Sequence, residues 1–279
     1  MFYLDYLWKN FLLTLKLIAR GEWGRVYNAI HARIYVRVQY VLFWLRAPGL
    51  RAKAAPAPDA PLSVATEHRV AFESPDHIVP FGTKYNNSTN RKFVVLMNAY
   101  FRERFPSESP AFMDLGCSGG QLVADFIHLR WVGVGLEGSD YSLKHKRANW
   151  KDLSNTHLFT CDITKPFEVQ QGGKPRRFHL ITAWEVMEHI HPDDLPAIFN
   201  NIRKHLVEGG VFVASTNSHS SVVDGVELHQ TRMTNAEWHT YITKHFPDLE
   251  KVDLGLKIHQ FVRFDFGETS YLVYRKRKA

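Results

Sequence analysis

Two groups of side chains in this chain of 279 residues have types and spacings that suit chemistry. The first is a glycine-broken loop with acids around it. In Phe112-Met-Asp-Leu-Gly-Cys-Ser-Gly-Gly-Gln121 an apolar run carries Asp114, breaks at Gly116, Gly119 and Gly120, and restarts at once as a helix. Glycines at a strand-to-helix turn let the backbone approach a ligand closely, and the start of the helix favours negative charge. Glu137 follows Asp114 by 23 residues at the end of the next apolar run, where a carboxylate can bind both hydroxyls of a ribose. Asp162 follows the third run, so three acids mark the carboxyl ends of successive strands, the edge at which open sheets bind ligands.

The second group is Glu185-Val-Met-Glu-His189, which places two carboxylates and an imidazole at i, i+3 and i+4, one face of a helical turn. Groups gathered in that way need a cation, a proton or an exposed surface. A solvated first turn with acids near the helix start is the plainer alternative. His191 lies two residues on, and His229 opens His229-Gln-Thr-Arg-Met-Thr-Asn-Ala-Glu-Trp238, just before a helix.

The elements that must position these groups follow from alternating strand and helix signals. The spacing predicts a helix over 88–104 capped near Ser88 and Thr89, strand Ala111–Leu115, a helix over 120–129 and strand Trp131–Leu136. A helix starting near Ser142, strands His157–Thr160 and His179–Ala183, a helix over 193–206 and strand Gly210–Ser215 come next. A helix over 235–245 and strands near 249–257 and 269–275, the last two pairing as an antiparallel hairpin, complete the chain. Such alternation implies an α/β fold with a mostly parallel sheet covered by helices.

The ordered set Asp114, Gly116, Glu137 and Asp162 resembles the class I S-adenosylmethionine-dependent methyltransferases over roughly residues 88–275. That resemblance implies a Rossmann-like, doubly wound sheet of seven strands and S-adenosyl-L-methionine as cofactor. By position, Gly116, Cys117, Ser118 and Gly120 pass the methionine part, Glu137 holds the ribose, and Asp162 accepts from the adenine amino group. Asp114, Gly138, Ile163 and Trp184 complete the expected cofactor surround. Ser118 departs from the pattern, standing where the commonest form of the loop has glycine. NAD is the alternative, disfavoured because the loop is not Gly-x-Gly-x-x-Gly.

The segment Glu185–His189 resembles that of the methyltransferases of ubiquinone biosynthesis and of small-RNA 2′-O-methylation. The resemblance implies a divalent cation (Mg, Mn or Zn) on Glu185, Glu188, His189 and His229, which would gather an acceptor hydroxyl and lower its pKa. Glu188, His189 and His191 are the catalytic candidates, either histidine serving as general base if no metal is bound. Upstream, Asp76-His-Ile-Val-Pro-Phe-Gly-Thr-Lys-Tyr-Asn-Asn resembles the segment before the catalytic domain in surface-polysaccharide methyltransferases. Residues 63–87 are therefore read as a lid, with His77, Lys84, Tyr85 and Asn87 as contacts, and 88–279 as the methyltransferase domain.

Composition limits the rest. With 45% hydrophobic and 23% charged residues the chain is globular rather than disordered or collagen-like. Two cysteines make neither a disulfide framework nor a cysteine zinc site. The net charge of +7 is concentrated in residues 1–58, which hold nine Lys/Arg and two acids. The remaining body gives little grip on a phosphate backbone, so nucleic acid is disfavoured as a partner. Residues 1–46 form an apolar, basic extension with a helical pattern over 2–18 and an ambiguous stretch over 25–45; 47–62 reads as a Pro/Ala-rich linker. Trp8, Trp23 and Trp44 among arginines suit an interfacial contact, and thus a cytoplasmic protein peripheral at the inner membrane face. Packing on the catalytic body is the competing reading. The expected acceptor is a sugar hydroxyl of a cell-surface glycan or lipid-linked precursor; a polyprenyl quinone, an RNA 2′-hydroxyl, or a silent cofactor-binding scaffold are the alternatives.

Overall fold

The computed structural model describes residues 19, 38, 41–50, 59–106, 109–255 and 269–278. Two compact units divide the chain, residues 1–48 and 49–279. In the first, Ala19, Val38 and 41–48 are helical, with Val38, Val41, Trp44 and Leu45 exposed. The expected helix over 2–18 and most of the stretch over 25–45 lie outside the described residues. No helix among the described residues is long and apolar enough to cross a membrane.

The second unit runs β1 (Leu62–Ala65), α1 (Pro75–Ile78), α2 (Phe81–Tyr85), α3 (Arg91–Arg104), β2 (Ala111–Leu115), α4 (Gln121–His128) and β3 (Val132–Glu137). It continues through α5 (Tyr141–Lys144), α6 (Trp150–Leu153), β4 (Leu158–Thr160), β5 (Glu168–Gln171), β6 (Lys174–Pro175) and β7 (Phe178–Trp184). Then come α7 (Leu195–His205), β8 (Leu206–Asn217), β9 (Val222–Val223), β10 (Val226–Glu227), α8 (Asn235–His245), β11 (Leu249–Lys251) and β12 (Thr269–Lys276).

Seven strands form one sheet in the order β11-β12-β8-β7-β2-β3-β4. The pairs β8-β7, β7-β2, β2-β3 and β3-β4 are parallel, and β12 lies antiparallel to both neighbours. This is the doubly wound, mostly parallel α/β sheet with an antiparallel C-terminal pair that the sequence predicts. Every residue of β2 and β3 is buried, as strands covered on both faces require. Phe93, Phe101, Phe112, Phe126 and Trp131 pack on one side of the sheet. On another side lie Phe199, Phe212, Trp238 and Phe246, all fully or almost fully buried.

Boundaries shift where capping chemistry decides them. Helix α3 starts at Arg91 because Asn90 Oδ1 accepts from the Phe93 amide, while Thr89 donates to Asp125 and Ser88 to Asn86. The helix expected near Ser142 is two short ones, α5 and α6. Strand β8 is longer than predicted, and β11 ends at Lys251. The sequence reading lacked the sheet β1-β5-β6, in which Leu62 to Ala65 pair with Gln171 to Glu168. Residues 47–50 continue a helix and β1 begins at Leu62, the two ends of the expected linker. The basic residues Arg275 and Lys276 lie at the end of β12. Arg275 donates to Tyr100 Oη at 2.9 Å, and Lys276 donates to the Arg203 and Leu206 carbonyls where α7 ends.

Candidate functional site

Strand order reverses between β2 and β7. The chain proceeds outward through β2, β3 and β4, then crosses back to place β7 on the other side of β2. Open α/β sheets bind ligands at such a switch point, outside the carboxyl ends of the strands. The glycine loop leaves β2 there, and Glu185 to His189 leave β7. The two loops touch, since a Cβ on Gly116 would lie 2.5 Å from Val186 Cγ2.

The loop after β2 is held by backbone and acids together. Asp114 is buried and accepts from Thr182 Oγ1 at 2.6 Å. Burial pushes its carboxyl up to about 7, against the pull of the Thr182 hydroxyl. The amides of Gly116 and Cys117 both donate to the Leu136 carbonyl, and burial pushes the Cys117 thiol up. Gly116 and Gly120 have φ of +68° and +78°, which glycine adopts without strain. Ser118 has φ +47°, which explains why glycine is common there; the serine gains compensating bonds. Its amide donates to Glu137 Oε2 at 2.7 Å, and its hydroxyl donates to the Asn86 carbonyl at 2.7 Å. Arg147 donates to that hydroxyl and to Asn86, while Trp150 Nε1 donates to the Ser118 carbonyl.

Glu137 is buried at the end of β3, and burial raises its carboxyl despite amide bonds from Ser118 and Ser139. Thr83 Oγ1 donates to its Oε1 at 3.3 Å. Asp162 is half-buried after β4; its Oδ1 accepts from the Thr164 amide and hydroxyl, leaving Oδ2 for a ligand. Ile163 is buried beside it, and Gly138 accepts from the Ala71 amide. Trp184 sets its ring edge-on against Phe93 at 5.2 Å, toward α3.

Beyond β7 the backbone makes no regular helical turn. Glu185 has φ +53° and a short 3-10 turn covers Met187–His189. Glu185 is thereby turned away from the predicted face: Ser215 Oγ donates to one oxygen and Asn217 Nδ2 to the other, each at 2.6 Å. Glu188, His189 and His229 do come together, with one donor atom of each within 4.8 Å of the others. Glu188 is fully buried; Oε1 accepts from the Asn217 amide at 3.0 Å, while Oε2 has no hydrogen-bond partner among the described residues. Asp76 Oδ2 lies 2.8 Å from His189 Nδ1. His229 Nδ1 meets the His219 carbonyl at 2.6 Å. The His219 carbonyl engages Nδ1 of His229 and leaves its Nε2 to ligate, whereas the Asp76 carboxylate lies beside Nδ1 of His189 without hydrogen-bond alignment.

Burial and the Glu185 charge push Glu188 up to about 8. Burial pulls His189 down, but Asp76 and the two glutamates more than offset it, to about 9. Burial lowers His229 and leaves it neutral at pH 7. A buried carboxylate oxygen and two imidazoles gathered in this way fit a divalent cation of the imidazole-accepting kind, whose binding would compete with protons on these groups.

Of the other candidates, His191 is exposed, and its Nδ1 accepts from the Asp193 amide to cap the turn at Pro192–Asp194. Residues 66–87 cross the carboxyl ends of the strands. The His68 carbonyl accepts from Asp162, Thr83 reaches Glu137, and Asn87 Oδ1 accepts from the Gln121 amide at the start of α4. Lys84 and Tyr85 are exposed and pair with each other; His77 packs on Phe72. Sequence reasoning missed Asp76, Thr83, Thr182, Ser215 and Asn217. Asp76 and Thr83 stand inside a polar segment already singled out, and Asn217, the last residue of β8, leads into a polar loop.

A methyltransferase-domain family model matches residues 90–253. No curated protein sequence matches the chain. An S-adenosylmethionine-dependent methyltransferase from Clostridium acetobutylicum is 16% identical, with 69% of this chain and 94% of that one covered at a TM-score of 0.45. The amino pentose methyltransferase CalS10 from Micromonospora echinaspora, solved with S-adenosylmethionine bound, is 14% identical over 71% of this chain and 95% of that one, TM-score 0.45. Magnesium protoporphyrin IX methyltransferase from Synechocystis, solved with S-adenosylhomocysteine, is 11% identical over 74% and 96%, TM-score 0.47. The family match spans more than half of the chain and takes in both loops at the switch point, so the chain belongs to the methyltransferase-domain family and is an S-adenosylmethionine-dependent methyltransferase.

Proposed function

We propose that this enzyme methylates a hydroxyl group, on a sugar of a cell-surface glycan or lipid-linked precursor, with a divalent cation (Mg, Mn or Zn) held by Glu188, His189 and His229. The observation that carries the reading is the buried, partnerless Oε2 of Glu188 gathered with two imidazoles. Val186, two residues before Glu188, packs against Gly116 of the glycine loop.

The chain's own residues divide the work. Gly116 to Gly120 and the start of α4 receive the methionine end of the cofactor, Glu137 takes the ribose hydroxyls, and Asp162 Oδ2 takes the adenine amino group. Ser215 and Asn217 fix both carboxylates of the Glu185–Glu188 pair, and His219 fixes His229. When bound, a cation would lower the pKa of an acceptor hydroxyl, whose oxygen would take the sulfonium methyl in line as S-adenosylhomocysteine leaves. A metal-free route would use His229 as general base, since burial lowers its pKa while the acids around His189 raise that imidazole.

The test is incubation with methyl-labelled S-adenosylmethionine and separated glycan, lipid and RNA fractions. Label in the glycan or lipid-linked fraction is expected. Label confined to RNA overturns the acceptor class.

A further inference from the structure

The lid segment contributes one acid to a centre that otherwise comes from the loops after β7 and β8. Asp76 belongs to α1, and its own amide donates to the capping Ser74. The side chain crosses to His189, Oδ2 to Nδ1 at 2.8 Å, and both partners are largely buried. Groups facing His189 are Asp76, Glu185, Glu188 and His229, and Asp76 is the one in contact with Nδ1. A carboxylate held this close to one imidazole nitrogen biases the proton to that side, and the other nitrogen becomes the better ligand. Nδ1 of His229 is held by the His219 carbonyl.

We propose that Asp76 is a positioning residue of the metal centre, which makes the docked lid part of the cation site. This rests on the cation reading above. The same segment reaches Glu137 through Thr83 and Ser118 through the Gly82 and Asn86 carbonyls. One stretch of chain thus ties the cation ligands to the cofactor loop, and a lifted lid leaves His189 without its orienting acid.

The experiment is calorimetric titration of the full chain with Mn²⁺, paired with visible spectra of the Co²⁺-loaded protein. Variants are Asp76→Ala, Asp76→Asn and, as a control for charge on the same segment, exposed Glu73→Gln. S-adenosylhomocysteine affinity in chelator reports whether each variant is folded. Asp76→Ala is expected to bind Mn²⁺ about 10–100-fold more weakly and to shift the Co²⁺ bands, as loss of an outer-shell partner does. Asp76→Asn, which keeps an acceptor oxygen, falls in between, and Glu73→Gln matches wild type. Wild-type Mn²⁺ affinity and Co²⁺ bands in Asp76→Ala overturn the inference while the cation reading stands. An equal loss of S-adenosylhomocysteine affinity also overturns it, assigning Asp76 to folding of the segment. No uptake of either ion by the wild type overturns the cation reading itself.

Discussion

At the residue scale, local environment sorts the acids of the site. Glu137 is held by two amides and a hydroxyl, so it braces the loop beside the ribose position proposed for it. Glu137→Gln is expected to weaken S-adenosylhomocysteine binding about 10–100-fold, since hydrogen bonds to a charged group contribute roughly 1.5–3 kcal/mol. Calorimetry giving wild-type affinity contradicts that role. Asp114, Glu137 and Asp162 were legible in the sequence because their spacing follows the strand-helix repeat. Glu185 was misplaced because an i, i+3, i+4 argument assumes helical backbone, and its φ of +53° breaks that assumption. Asp76 stood in a segment the sequence singled out, but its pairing with His189, far along the chain, is made only by the fold.

At the element scale, the switch point depends on two sharp turns and one small sheet. Gly116→Ala adds a Cβ at φ +68° against Val186, with left-handed strain of about 1–2 kcal/mol before the clash is counted. A lower melting temperature and loss of cofactor affinity are expected; an unchanged melting curve contradicts the tight packing of the two loops. His205 joins α7 to β5, its Nε2 accepting from the Val169 amide and its Nδ1–H donating to the Asn201 carbonyl. Burial lowers this imidazole to about 4, below the unfolded value of 6.5. Between those values the unfolded chain binds more protons, so the stability His205 contributes is present above pH ~6.5 and lost as pH falls toward ~4, on the order of 3 kcal/mol. Urea midpoints across that window should fall less steeply for His205→Gln; parallel curves contradict the assignment. The β5-β6 turn did have a signal, Gly172-Gly173 with φ of +58° and +75°, but its short polar strands gave no hydrophobic period to confirm it.

At the scale of the whole molecule, the charge of +7 separates from the chemistry. The catalytic unit, 49–279, is compact in itself, and residues 1–58 hold the excess of basic side chains. We propose that residues 1–46 hold the enzyme on anionic lipid, each Lys or Arg near the surface contributing about 1 kcal/mol. The full chain should float with phosphatidylserine vesicles, whereas a chain lacking 1–46 stays in solution and still binds S-adenosylhomocysteine. Loss of that binding instead makes the block part of the catalytic fold. If Glu188, His189 and His229 hold a cation that activates the acceptor, methyl transfer depends on that ion. Methyl-transfer rates of chelator-stripped enzyme are measured before and after return of Mg²⁺, Mn²⁺ or Zn²⁺, in wild type and His229→Ala. Transfer is expected to disappear on stripping, to return with one of these ions in the wild type, and to return poorly in His229→Ala. Full transfer by the stripped wild-type enzyme rules out a cation at these residues as the activating group.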